Sequence, residues 1–124
     1  MLKKVFGSSI KEGSKTGMNE IFSGLKKGDM NGCVKRFRET PGAVLLDVRE
    51  VNEYDVGHIP GATNLPLSEM EDAEAYLEDK SAPIFIHCRS GVRSAQATLM
   101  LENMGYTTLM DIGGILDYSG EIEK

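Results

Sequence analysis

Residues 84–100 read IFIHCRSGVRSAQATLM, a change from an apolar, β-favouring run to a cysteine set among two arginines, two serines and a glycine. Ile84, Phe85 and Ile86 predict a strand, and beyond the loop Ala95, Leu99 and Met100 recur at helical spacing. Cys88 therefore stands where a sheet ends and a helix begins. The nucleophilic form of cysteine is the thiolate, and a free thiol with a pKa of about 8.5 is mostly protonated at neutral pH unless a cation or a helix N-terminus lowers it. Both are at hand here. Backbone N–H groups from Arg89, Ser90, Gly91, Val92, Arg93 and Ser94 can curl toward the sulfur as a nest, with the helix dipole behind them. Gly91 lets the loop bend, and Arg89 and Arg93 supply cationic donors for an anionic substrate.

The plain alternative for any cysteine is a small buried hydrophobe. Cys33 fits that reading: Lys35, Arg36 and Arg38 lie near it, but no loop motif surrounds it. Neither cysteine belongs to a CxxC pair or to a Cys/His cluster with zinc spacing, so no metal site is expected. Two cysteines are also too few for a secreted disulfide scaffold, and a bridge between them is disfavoured.

Three other polar groups compete for a role. Asp47 and Arg49 close the run AVLLDVRE on the same sheet edge as Cys88, a position from which they can line the site. His58, in GHIPGA, resembles a general base in isolation. His87 precedes the cysteine and points to the opposite side of the strand, which favours packing.

The elements that position these residues follow from the rest of the chain. At 124 residues, 40% hydrophobic and 27% charged, it fits one domain with a real core. No apolar run approaches the roughly 20 residues of a membrane span. MLKKVF starts like a signal peptide but lacks an apolar core of about 7–15 residues, so the cytoplasm is the expected compartment. The net charge of -5 hides an asymmetry, because residues 1–40 carry nine Lys/Arg against four Asp/Glu while residues 41–124 carry five against fifteen. The basic residues are dispersed, so neither nucleic acid nor a membrane surface is an expected partner.

Residues 1–27 are punctuated by Gly and Ser and read as an extension with one short amphipathic stripe, Met18, Ile21, Phe22 and Leu25; residues 28–124 form the domain. A short helix around Val34 and Phe37 ends at Thr40-Pro41-Gly42. AVLLDVRE at 43–50 reads as a buried parallel strand, and 51–67 as loop. Ser68 and Glu71 have the spacing of a capping box at the start of a helix over 68–79. PIFIHC is the next strand, 91–104 a helix, and YTTLMDIGG the last strand. Strands alternating with helices imply a parallel sheet covered on both faces.

LLDVREVNEYDVGHIPGATNLPL, CRSGVRS and MGYTTLMDIGGILDY, in that order over about residues 30–120, resemble the signatures of the single-domain rhodanese-like sulfurtransferase family. The resemblance implies a five-stranded parallel α/β sheet with helices on both faces. It also implies a cysteine that accepts a sulfane sulfur from a donor such as thiosulfate and passes it to a thiol, cyanide or a protein sulfur acceptor, with no cofactor. Carried onto this chain, Cys88 is the persulfide carrier, Arg89 to Ser94 bind substrate, Asp47 and Arg49 support the loop through ion pairs with a residue such as Glu53, and His58 holds the fold. Two other readings share the architecture. One is a persulfide carrier or regulatory binding module without efficient turnover. The other is a cysteine-dependent phosphatase or arsenate reductase, whose arginine stands six residues after the cysteine; here Arg93 is fifth and Ser94 sixth, a loop one residue too short. Tyr118 occupies a position where the family often has tryptophan.

Overall fold

A computed structural model describes residues 20–124. The punctuation of residues 7–17 and Met18 lie outside the described residues. Four parallel strands, β1 (Val44–Asp47), β2 (Ala62–Asn64), β3 (Ile84–Cys88) and β4 (Leu109–Gly114), form one sheet in the order β2-β1-β3-β4. The chain runs outward from β1 to β2, then crosses back to β3 on the other side. That reversal opens a crevice at the carboxyl ends of β1 and β3, the place where open α/β sheets bind ligands.

Helix α1 (Met30–Glu39) begins at Asp29, whose side chain accepts the Gly32 N–H at 3.2 Å. Met30, Cys33 and Val34 are its buried stripe. It ends at Thr40, extended as the residue before a proline must be, with its hydroxyl donating to the Arg36 carbonyl at 2.6 Å. Leu45, Phe85, Ile59 and Ile112 meet α1 on one face of the sheet, and Phe22 adds an edge-on contact with Phe85, ring centroids 5.2 Å apart. The opposite face packs Leu46, Ile84, Ile86 and Cys88 against α4 (Val92–Asn103) through Ala97 and Leu101. The alternation along IFIHC thus sends Cys88 to the α4 side and His87 to the α1 side.

Four details differ from the expectations. The sheet has four strands among the described residues, not five: beside β4, Gly24 and Gly28 turn the chain with φ of 82° and 98°, and the edge receives the Gly28 N–H on the Ile112 carbonyl instead of a strand. β2 and a short helix, α2 (Val51–Val56), lie within the stretch read as loop, since three residues paired only through β1 carry no apolar run and six residues are too few to show a helical period. The helix expected over 68–79 is a 3₁₀ segment, Leu67–Asp72, with Glu69 off helical geometry, followed by α3 (Ala73–Tyr76). Its Ser68 hydroxyl turns to Glu50 at 3.5 Å, and five carboxylates crowd residues 69–78, which disfavours a regular helix. The buried stripe of α4 is Ser94, Ala97 and Leu101, whereas Leu99 and Met100 are exposed. Small residues let this helix lie close against β3. Among the described residues no helix is long and apolar enough to cross a membrane.

His87 is wholly buried. Its Nδ1 lies 3.1 Å from the Cys88 carbonyl, and its Nε2 has no hydrogen-bond partner among the described residues, 3.8 Å from Asp47 Oδ2. Burial pushes its pKa below the ordinary 6.5, against the pull of the Asp47 charge. The unfolded chain therefore binds this proton more readily than the folded one, and stability falls as the pH drops below about 6.5. Urea midpoints measured from pH 7.5 to 5 are expected to decline, and His87→Asn, which keeps a donor for the Cys88 carbonyl, is expected to flatten that decline; an unchanged slope would refute this assignment.

Candidate active site

The sulfur of Cys88 sits at the end of β3 inside the turn that starts α4. The Gly91 N–H donates to Sγ at 3.0 Å, and the Ser94 hydroxyl lies 3.7 Å from it. Gly91 takes φ of 107°, the left-handed region that a side chain disfavours, and this turn aims the amides inward. Burial pushes the Cys88 thiol up. The amide and hydroxyl of Ser94 and the amides of Gly91 and Ser90 outweigh it and bring the thiol below its ordinary value. For Cys33, burial and then the Asp29 charge raise the thiol to about 11, against a smaller downward pull from Arg36 and the Lys26 backbone, whose carbonyl lies 3.5 Å away. The two thiols therefore diverge in acidity because only one has amide donors.

The surrounding charges are arranged in pairs. Asp47 and Arg49 form a buried pair, Nε to Oδ1 at 2.9 Å and Nη2 to Oδ2 at 2.7 Å, and Arg49 also donates to the Gly57 carbonyl at 2.9 Å. Contrary to the expectation of a bridge from this group to Glu53, Arg49 is closed on its own neighbour in β1, and Glu53 belongs to Arg93. That fork is bidentate, 2.6 and 2.9 Å, and ties α2 (Val51–Val56) to α4 across the loop. The Arg93 hydrogen bonds hold the Glu53 carboxyl at about 2. Glu53 also accepts the Glu50 N–H at 2.9 Å, placing at the start of α2 a capping contact like the one expected at Ser68. Arg89 and Ser90 are exposed, Val92 points outward, and the Arg89 side chain makes no ion pair or hydrogen bond to another described residue.

Beside the loop lies a cleft of about 370 Å³ bounded by Arg49, Glu53, Val56, Arg89 and Leu116. His58 stacks on Tyr54 with ring centroids 3.8 Å apart and bonds the Tyr54 carbonyl and Glu123. Tyr118 packs on the α1 side of the sheet.

Three contributors escaped the sequence. Gly114 lets β4 lie against the loop. Asp111 accepts from the Ser94 hydroxyl at 2.7 Å, and Lys27 pairs with Asp111 at 2.7 Å. A lone carboxylate in an otherwise apolar final strand was the available signal for Asp111. Lys27 had none, being one of several dispersed lysines.

Residues 31–121 match the rhodanese-like domain family, and the chain belongs to that family. It is 37% identical over 73 residues to the thiosulfate sulfurtransferase PspE of Escherichia coli, covering 58% of this chain and 70% of that one. The putative sulfur carrier protein YrkF of Bacillus subtilis is 36% identical over 80 residues, covering 64% of this chain and 43% of that one. A solved rhodanese with anions from E. coli superposes with a TM-score of 0.61 at 34% identity, over 66% of this chain and 98% of that one. The chain spans 64% and 43% of the length of the first two curated relatives it matches.

The packing at Gly114 is testable. A Cβ there would stand 2.2 Å from the Arg89 carbonyl oxygen and 2.5 Å from the Ser90 Cα, both backbone. Gly114→Ala is expected to displace the loop, cost about 1–3 kcal/mol in urea unfolding, and slow alkylation of Cys88. A variant with wild-type stability and alkylation would show that the loop yields freely.

Proposed function

We propose that this protein is a sulfurtransferase that carries a sulfane sulfur as a persulfide on Cys88. The observation that carries this reading is the sulfur itself, held by the Gly91 amide and drawn below the usual thiol pKa by backbone donors. In the first half-reaction the Cys88 thiolate attacks the outer sulfur of a donor such as thiosulfate. A new S–S bond forms, the donor's own S–S bond breaks, and sulfite leaves with the bonding pair. The persulfide anion inherits the amide nest, which suits a charge that moves outward by one sulfur. A thiol or cyanide then attacks that outer sulfur, and the Cys88 thiolate departs into the same donors. Arg89 meets the donor at the cleft, the loop amides up to Ser94 hold the sulfur, Asp47 and Arg49 hold the end of β1, and the reaction takes place in the cytoplasm without a cofactor.

Loop size supports sulfur over phosphate as cargo. Within CRSGVRS the arginine comes one position early for a phosphate cradle, and Arg93 is engaged by Glu53, not free to face a tetrahedral anion. Arg89 is the cation open to solvent at the cleft. The similarity to a putative sulfur carrier favours a second reading in which the persulfide is held for a partner and cyanide turnover is slow.

Intact mass after incubation with thiosulfate tests the first half-reaction. A gain of one sulfur atom that cyanide removes is expected for wild type and for Cys33→Ser, and no gain for Cys88→Ser. Loss in the Cys33 variant instead would overturn the assignment, and a persulfide that forms but resists cyanide would select the carrier. Arg89→Ala is expected to lower kcat/KM for thiosulfate about 10- to 100-fold, the size of a charge-assisted hydrogen bond of about 1.5–3 kcal/mol. Unchanged kinetics would make Arg89 a bystander.

A further inference from the structure

Lys27 lies outside the stretch that matches the family, yet its side chain crosses the flank of the cysteine loop. Its Cε is 3.7 Å from where a Cβ on Gly91 would stand, and its Nζ reaches Asp111 Oδ2 at 2.7 Å. The other oxygen of that carboxylate accepts from the Gly113 N–H at 3.1 Å and lies 2.7 Å from the Ser94 hydroxyl, which in turn is 3.7 Å from the Cys88 sulfur. Asp111 pairs with Ile86, which packs on the α4 face, and so lies on that face beside Ser94, just ahead of the β-bulge that pairs His87 with Gly113.

We propose that Lys27 and Asp111 form a charge-balanced pair that positions the Ser94 hydroxyl and so governs how readily the Cys88 thiol ionises. The inference rests on Cys88 as the sulfur carrier for its catalytic consequence, although ionisation is measurable without any transfer. Ser94 has one hydroxyl proton and several acceptors in reach: Asp111 at 2.7 Å, the Gly91 carbonyl at 3.1 Å and the Gly113 carbonyl at 3.4 Å. With a neutral thiol, the shortest contact holds that proton on Asp111, and the S–H faces the Ser94 oxygen. With a thiolate or persulfide, Ser94 turns its proton to sulfur and Asp111 loses a donor. Lys27 compensates that loss and cancels a negative charge one hydroxyl away from the sulfur anion. Lys27 and Asp111 are thus positioning residues acting through Ser94.

The other charged groups facing Cys88 are separate from this chain of contacts. Arg93 is paired with Glu53 from α2, Arg89 is in solvent, and Asp47, Arg49 and His87 lie on the far face of β3. Each stays in place when residues 27 and 111 are changed.

The test is the pH dependence of iodoacetamide alkylation, quantified at Cys88 by peptide mass in the full chain. Lys27→Met keeps the stem and removes the charge; its midpoint is expected to rise by about half to one pH unit, a roughly three- to tenfold slower reaction at neutral pH. Lys27→Arg is expected to retain the wild-type midpoint. Asp111→Asn in the Lys27→Met background is expected to restore it, because no unbalanced carboxylate then remains. A midpoint unmoved in Lys27→Met, a rise that Lys27→Arg shares, or a rise that Asp111→Asn leaves in place would overturn the proposal. Urea midpoints for each variant separate ionisation from unfolding. If wild type takes up no sulfur from thiosulfate, the carrier reading fails, whereas the midpoints still decide the role of Lys27.

Discussion

The Gly91 N–H pointing at the Cys88 sulfur is the contact on which the rest of the site depends. A sulfur at the end of a fully buried strand loses its water, and desolvation alone would keep it protonated, as it does at Cys33. The chain answers with backbone donors that cannot ionise or swing away. For those amides to converge, Gly91 must adopt a left-handed turn, α4 must start directly after it, and β4 must come close enough to support the turn from below. Gly114 makes that last approach, because any side chain there would strike the Arg89 and Ser90 backbone.

The same demand explains the composition of α4. A helix that presents its first-turn amides to a β3 side chain must lie near the sheet, so its inner positions are Ser94 and Ala97 before Leu101 fills the wider space. The apolar residues of the AQATLML run are therefore a poor guide to its buried face. Leu99 and Met100 satisfy helical spacing but point to solvent. Periodicity found the helix and missed its rotation, because small residues carry no hydrophobic signal.

Much of the frame is legible in the sequence for equally physical reasons. β1 and β3 are continuous apolar runs that end in polar residues, and a tight loop with glycine at its centre follows β3. β2 is illegible because three residues gain their strand geometry only from β1. The edge of β4 is illegible because its neighbour is a glycine-turned segment that bonds it once, through Gly28. Within the site, types and positions along the loop are readable, but pairings are not. Arg49 and Arg93 look alike in the sequence, and nothing local assigns Asp47 to one and Glu53 to the other. That choice belongs to the register of β1 and the reach of α2.

These pairings change how the electrostatics should be understood. Arg49 is closed on Asp47, Arg93 on Glu53 and Lys27 on Asp111, so three cations near the loop are each matched by a carboxylate. A site that held its anion by net charge would leave some of them free. This one surrounds the sulfur with oriented amides, and fixed dipoles act over a few ångströms, where the salt of the solvent screens them little. The paired charges instead fix geometry: one binds the end of β1 to Gly57, one ties α2 to α4, and one anchors the residues before α1 to β4. The chain can therefore carry fifteen acidic groups beyond residue 40 and still lower the pKa of one thiol, since the stabilisation comes from its nearest backbone and not from the field of the whole molecule. Among the described residues lining the cleft, Arg89 is the exposed cation with no carboxylate partner, so the charge open to solvent there is separate from the groups that hold the sulfur.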